Sequence, residues 1–189
     1  MNVLKRLNSK GFSLAEVTTV VIIMGILASI GISNYTRMKR KRLQAEAKAQ
    51  LGVLHSRMTN FQTEWGDYWG VFVDINYSPK NEMTYNVGFN AMGSAVGGGF
   101  AGNMAAANEF NTMAACGMSL GGCLAADTPA LNIGGGMGMG MGMGMAVALT
   151  WQNASFTAGA RGSIGGTNGD DEWTIDEVKV LLNVNDGTL

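Results

Sequence analysis

One segment constrains this chain more than any other: FSLAEVTTVVIIMGILASIGIS, residues 12–33. It is 22 residues long and its only charge is Glu16. As an α-helix rising 1.5 Å per residue it would cross roughly 30 Å of hydrocarbon. Two simple explanations exist for such a stretch. A secretory signal peptide has a basic start and an apolar middle, and it is cut after the apolar part at small residues; "ASIGIS" would serve as that site. A plain membrane anchor is the second. Both leave Glu16 unexplained, because a carboxylate at membrane depth costs about 2.5–3.5 kcal/mol on insertion scales. An intramembrane charge needs a partner.

A partner arises if the chain is cut between Gly11 and Phe12. Phe12 then carries a free α-ammonium, and Glu16 follows four residues on, on the same helix face. The carboxylate can pair with that ammonium in its own chain or with that of a neighbour packed in parallel. The second arrangement makes Glu16 a register device. A subunit docks only where its new N-terminus meets a neighbour's carboxylate, a use of buried polar groups known from coiled coils.

The residues that carry this logic are "KGFSLAEV", preceded by a short leader with Lys5, Arg6 and Lys10. Together with the unbroken apolar helix they resemble the prepilin signature of the type IV pilin and pseudopilin family. Gly11, Phe12 and Glu16 match its Gly, Phe and fifth-position Glu one by one. The resemblance implies cleavage between Gly11 and Phe12 by prepilin peptidase and N-methylation of Phe12, which keeps the positive charge. It implies a leader at 1–11, a transmembrane and filament-core helix at 12–33, and an inner-membrane assembly platform as a partner. Before assembly the N-terminus would be cytoplasmic and the head periplasmic; afterwards the subunit would sit in an extracellular pilus. Many members carry proline where this chain has Ser33, so Gly25, Gly31 and Ser33 must supply any weakness in the helix, glycine costing about 1 kcal/mol against alanine. Gly25 and Ser29 form a small-xxx-small pair that lets neighbouring helices approach.

Charge is split along the rest of the chain. Residues 37–57 are basic with Glu46 as their only acid; beyond them the acids outnumber Lys80, Arg161 and Lys179. Arg37, Lys39, Arg40, Lys41 and Arg42 follow the apolar span, so counting cations on the two flanks favours the wrong end inside. Beside a membrane span the run "RMKRKR" reads as a lipid-headgroup or subunit contact, docking on the acidic head of a neighbour, and no nucleic-acid partner is expected. Net charge is −1, which gives no whole-chain field for nucleic acid.

Beyond the span, Leu43, Ala47, Leu51, Leu54, Met58, Phe61 and Trp65 step by three or four, one apolar face of a helix. Gly66 is its stop. The helix therefore has an all-round apolar half and an amphipathic half at 34–65, whose stripe needs a cover from the head at 66–189. Strands are expected at "TYNVGF", "AVALTW", "SFTAGARGSI", "EWTIDE" and "VKVLLNV", with a hairpin turn at "QNAS". The fold class is α+β: a long N-terminal helix packed on a small antiparallel sheet, with Trp151, Phe156, Trp173 and Ile175 as sheet-side anchors. The stretches "EAKAQLGVLHSRMTNFQTEWGDY", "YNVGF" and "FTAGARGSI…DEWTIDEVKVLLN" also resemble one branch of type IV pilins.

Residues 91–144 read as a Gly-, Met- and Ala-rich insertion. It holds Cys116 and Cys123, a plausible short-loop disulfide outside the cytoplasm. Met and Gly alternate from Met137 to Met145 and the period-two pattern continues through Val147, Leu149 and Trp151, which is a strand pattern or a Gly loop. A Cu(I) thioether site ranks far below these, because no Cys or His lies in the repeat. Asp170 and Asp171 lie in a Gly-rich turn, where a solvated turn is the default reading and calcium a weak alternative. With His55, expected at a helix surface, as the only histidine, a zinc constellation and a catalytic triad lack their ligands, and no cofactor is expected. The chain reads as a structural subunit of an adhesion- or motility-type pilus, a homopolymer rather than an enzyme. The alternatives are a pseudopilin of a type II secretion system, a minor pilin, or a membrane-tethered binding domain.

Overall fold

The computed structural model describes residues 11–79, 82–94, 96, 100, 102, 109–118, 123–125, 127–131, 133, 148–166 and 169–188. The expected Met137–Met145 repeat, with Val147, lies outside the described residues. The chain divides into two compact units, Met1–Lys39 and Arg40–Leu189.

A 52-residue helix, α1 (Leu14–Trp65), runs through both units. It passes Gly25, Gly31 and Ser33 without interruption, and it ends where the stop was expected. Gly66 takes φ +85°, a left-handed conformation that favours glycine, and its N–H bonds the Gln62 carbonyl at 2.8 Å.

In the first unit every side chain of α1 faces outward. Val17, Val20, Val21, Ile22, Ile23, Ile26 and Leu27 are all exposed, and the apolar window has a mean hydropathy of 2.1. By length and composition this half is long and apolar enough to cross a membrane.

In the second unit α1 has a buried stripe: Ala47, Leu51, Leu54, Met58 and Phe61, with Leu43 packed beside it. The cover is a four-stranded antiparallel sheet in the order β1-β2-β3-β4, made of β1 (Tyr85–Gly88), β2 (Thr157–Gly162), β3 (Asp171–Asp176) and β4 (Leu181–Asn185). Pairings such as Val87↔Ala160, Ala160↔Trp173 and Ile175↔Leu181 fix the register. Alternation along β2 and β3 sends Ala158, Ala160, Trp173 and Ile175 into the main core with Trp151 and Phe156, so the four expected anchors are all buried. A short helix, α2 (Thr112–Met118), borders β1, where the Thr112 hydroxyl both accepts from the Val87 N–H (3.2 Å) and donates to its carbonyl (3.0 Å).

Four expected strands overlap β1 to β4, two of them one residue out of step at an end; the described part of "AVALTW" forms no strand. Ala148, Leu149 and Thr150 lie in no strand, and Trp151 forms a single bridge to Phe156 around the expected "QNAS" turn, where the Gln152 N–H bonds the Ser155 carbonyl at 2.8 Å. The physical reason is that Leu149 belongs to a second layer. With Leu131 and Ile133 it forms a small separate core. A Cβ at Gly159 would sit 2.5 Å from Ile133 Cδ1 and 2.6 Å from Leu149 Cδ1. Gly159 alternates with Ala158 and Ala160, so these side chains press on the face of the sheet turned away from α1, and only a glycine admits them.

Candidate assembly site and the carboxylate centre of the head

The helix begins with a reciprocal cap. The Ser13 N–H donates to Glu16 Oε2 at 2.7 Å, and the Glu16 N–H donates to Ser13 Oγ at 3.3 Å. This is a capping box, Ser-x-x-Glu, which satisfies two of the amide donors left open at a helix start. Glu16 thus has a hydrogen-bond partner inside its own chain. Ser13 was not among the residues singled out in the sequence, although the S-x-x-E spacing announces it. Gly11 and Phe12 precede the helix in irregular, exposed backbone. Gly25 and Ser29 are exposed on α1, and a Cβ at Gly25 would meet nothing within 4 Å.

The five cations of the basic shoulder divide. Arg40 belongs to the second unit, where its guanidinium donates to the carbonyls of Thr188 (Nη1, 3.1 Å) and Gly165 (Nη2, 2.6 Å). Arg37, Lys39, Lys41 and Arg42 are exposed. The structure therefore gives Arg40 an intramolecular task that the others lack among the described residues.

The acidic turn also differs from the solvated loop expected of it. Asp170 pairs with Arg161 (Nη2–Oδ2, 3.0 Å), which also meets Glu172 at 3.3 Å. Asp171 opens β3 and is 0% exposed. Its carboxylate accepts five hydrogen bonds from five parts of the chain. Oδ2 takes the Tyr85 hydroxyl of β1 (2.6 Å) and the Trp173 indole N–H of β3 (2.5 Å). Oδ1 takes Gln44 Nε2 of α1 (2.8 Å), the Gly187 N–H (3.1 Å) and Asn183 Nδ2 of β4 (3.4 Å). The acceptor positions that a cation would use are thus occupied by protein donors. Among the described residues no group of three or more His, Cys, Asp or Glu side chains is placed to hold a metal ion.

Electrostatics around this centre follow from burial. Burial, then the hydrogen bond to Asp171 and the nearby carboxylates, pushes the Tyr85 phenol far above its ordinary range. Burial and Glu46 do the same to Tyr77. Asp186 is held below the usual carboxylate range, chiefly by the Thr188 hydroxyl and N–H that bond it.

His55 is half-buried rather than on the surface. Its Nε2–H donates to the Glu177 carbonyl at 3.0 Å, and its ring lies 5.7 Å from that of Phe156. Cys116 and Cys123 form the expected disulfide, with Cα atoms 5.4 Å apart. The Cys123 carbonyl accepts from the Met83 N–H (2.8 Å), which ties the closed loop to the residues before β1.

A long helix with one half bare and apolar, its other half laid on a small antiparallel sheet, defines a pilin-like α+β protein. The chain is similar to the type IV major pilin protein PilA of Myxococcus xanthus (strain DK1622): the two are 34% identical over 77 residues. The match covers 41% of this chain and 35% of PilA, so it spans about a third of the relative's length. No protein-family model matches the chain. The similarity supports the type IV pilin family.

Proposed function

We propose that this chain is the repeating subunit of a type IV pilus, held in the inner membrane by residues 12–33 and polymerised through them after cleavage between Gly11 and Phe12. The observation that carries the proposal is the first half of α1, where apolar side chains point outward all round the helix and only Glu16 is charged. Such a surface is stable in lipid or against copies of itself, and bare in water at neither stage. Leaving lipid for a bundle of identical helices exchanges one apolar surrounding for another. Packing and polar contacts therefore decide the arrangement. Gly25 and Ser29 let helices approach.

Glu16 has two partners in sequence. In the uncut chain the Ser13 N–H holds its carboxylate. After cleavage the ammonium of Phe12, methylated or not, offers a full positive charge, and a neighbour's ammonium sets the stagger. Prepilin peptidase and an inner-membrane platform are the partners this route requires, and the finished fibre is displayed at the cell surface.

The test is Glu16→Ala. Surface filaments counted by electron microscopy are expected to vanish or fall to short stubs, while the head keeps its unfolding curve. Filaments of normal length and number on the alanine variant would overturn the register role. Mass spectrometry of the mature protein tests the route independently: its first residue is expected to be methylated Phe12.

A further inference from the structure

The exposed cations at the end of the apolar span have an arrangement that selects between partners. On a helix of 3.6 residues per turn, Arg37 and Lys41 share one side, while Arg42 and Lys39 point to the opposite side. Arg40 lies in line with the buried stripe of Ala47, Leu51, Leu54 and Met58, and it is the one that bonds the head. The remaining four cations are exposed and distributed over two sides of the helix, and none forms a hydrogen bond or ion pair among the described residues. A docked protein meets a helix from one side. A shell of phosphate groups meets it from every open side.

Depth agrees with the second. Arg37 lies four residues beyond Ser33, about 6 Å along the axis, and Arg42 about 13 Å. The headgroup layer adds roughly 5–8 Å on each side of the hydrocarbon. Long basic side chains reach back along the helix to place their charge at that level. Tyr35, an exposed amphipathic ring, precedes them at the boundary where aromatic residues collect.

We propose that Arg37, Lys39, Lys41 and Arg42 form a collar that binds the phosphates of anionic phospholipid around the unassembled subunit. The proposal rests on residues 12–33 spanning the bilayer, as argued above. The collar fixes the depth of the helix and enriches anionic lipid at its flank, a set of contacts that must be released when the subunit enters a filament. In the orientation proposed above the collar lies on the far side of the membrane, against the usual bias of cations toward the cytoplasm, so the contact has to compensate for that placement.

The test uses the full chain reconstituted into phosphatidylcholine vesicles containing phosphatidylglycerol, with trace spin-labelled lipid of either kind. Electron spin resonance reads the fraction of each label immobilised by the protein. Labelled phosphatidylglycerol is expected to be favoured several-fold over phosphatidylcholine. The preference should fall to parity in the Arg37→Gln, Lys39→Gln, Lys41→Gln, Arg42→Gln variant, which keeps Arg40, and it should weaken in salt. An inserted chain that immobilises both lipids equally, or a quadruple variant with an unchanged preference, overturns the collar and leaves the span standing. Loss of contacts between copies in the variant, with lipid preference unchanged, assigns the cations to a neighbouring subunit and also overturns it. A chain that fails protease protection over residues 12–33 immobilises neither lipid and overturns span and collar together.

Discussion

The two halves of α1 are the same secondary structure with opposite surroundings. Ile23 in the first half is 52% exposed, while Leu51 and Leu54 in the second are 0% exposed. The first half is apolar on every side and exposed among the described residues; the second half confines its apolar residues to one stripe and covers it with β1 to β4. The described core of the head therefore draws on the second half, and the proposed assembly contact on the first. Substitutions in the two halves should separate cleanly. All four tryptophans, Trp65, Trp69, Trp151 and Trp173, belong to the second unit, so fluorescence reports the head alone.

The largest loss is expected at Asp171. Asp171→Ala strands three buried donors, the Tyr85 hydroxyl, the Trp173 indole N–H and the Gly187 N–H, and should destabilise the head by on the order of 3–5 kcal/mol, read from urea unfolding of the full chain in detergent by tryptophan fluorescence. An unchanged midpoint would mean that the carboxylate is not the centre of the head. Next comes Leu54→Ala, expected to cost about 2–5 kcal/mol by the same assay. Ile23→Ala should leave that curve in place, and a shift would break the division between the halves.

Removing the disulfide with Cys116→Ser and Cys123→Ser should cost about 2 kcal/mol, because the closed loop is short. The effect belongs to the head, and the first half should not register it. The mildest effect under working conditions is alkaline. Tyr85 and Tyr77 have phenols raised above their unfolded values, so they favour the folded state below the unfolded pKa of about 10, and that contribution drains away as pH rises beyond it. Phenolate absorbance should therefore appear together with loss of the folded tryptophan signal. Ionisation of both phenols in a still-folded head would contradict the burial described for them.

How much of this was legible in the sequence depended on whether a signal was local and periodic. The stripe from Leu43 to Phe61 repeats every three or four residues, and burial matches it position by position until Trp65, which is 41% exposed and rests on Phe61 and Phe100. β2, β3 and β4 alternate strongly enough to be found. "AVALTW" also alternates, yet residues 148–150 lie in no strand and Leu149 packs with Leu131 and Ile133 instead. Period two marks one apolar face and does not say which surface that face meets. Asp171 was harder. In "TNGDDEW" it has the composition of a solvated turn, and its donors come from residues 44, 85, 173, 183 and 187, which no window contains. One clue existed: extending the alternation back from Ile175 and Trp173 puts Asp171 on the core side of the strand. Ser13 is simpler, because its spacing to Glu16 is that of a capping box.

The Asp171 cluster also has a kinetic side. Its bond to Gln44 closes 127 residues of chain and its bond to Tyr85 closes 86. Contacts so distant in sequence carry a heavy loop entropy and form late on the way to the native state. Weakening such a late contact hardly slows the approach to the barrier and mainly hastens the escape from the finished structure. The half-life of the folded head, more than the speed with which it folds, is then set by one carboxylate.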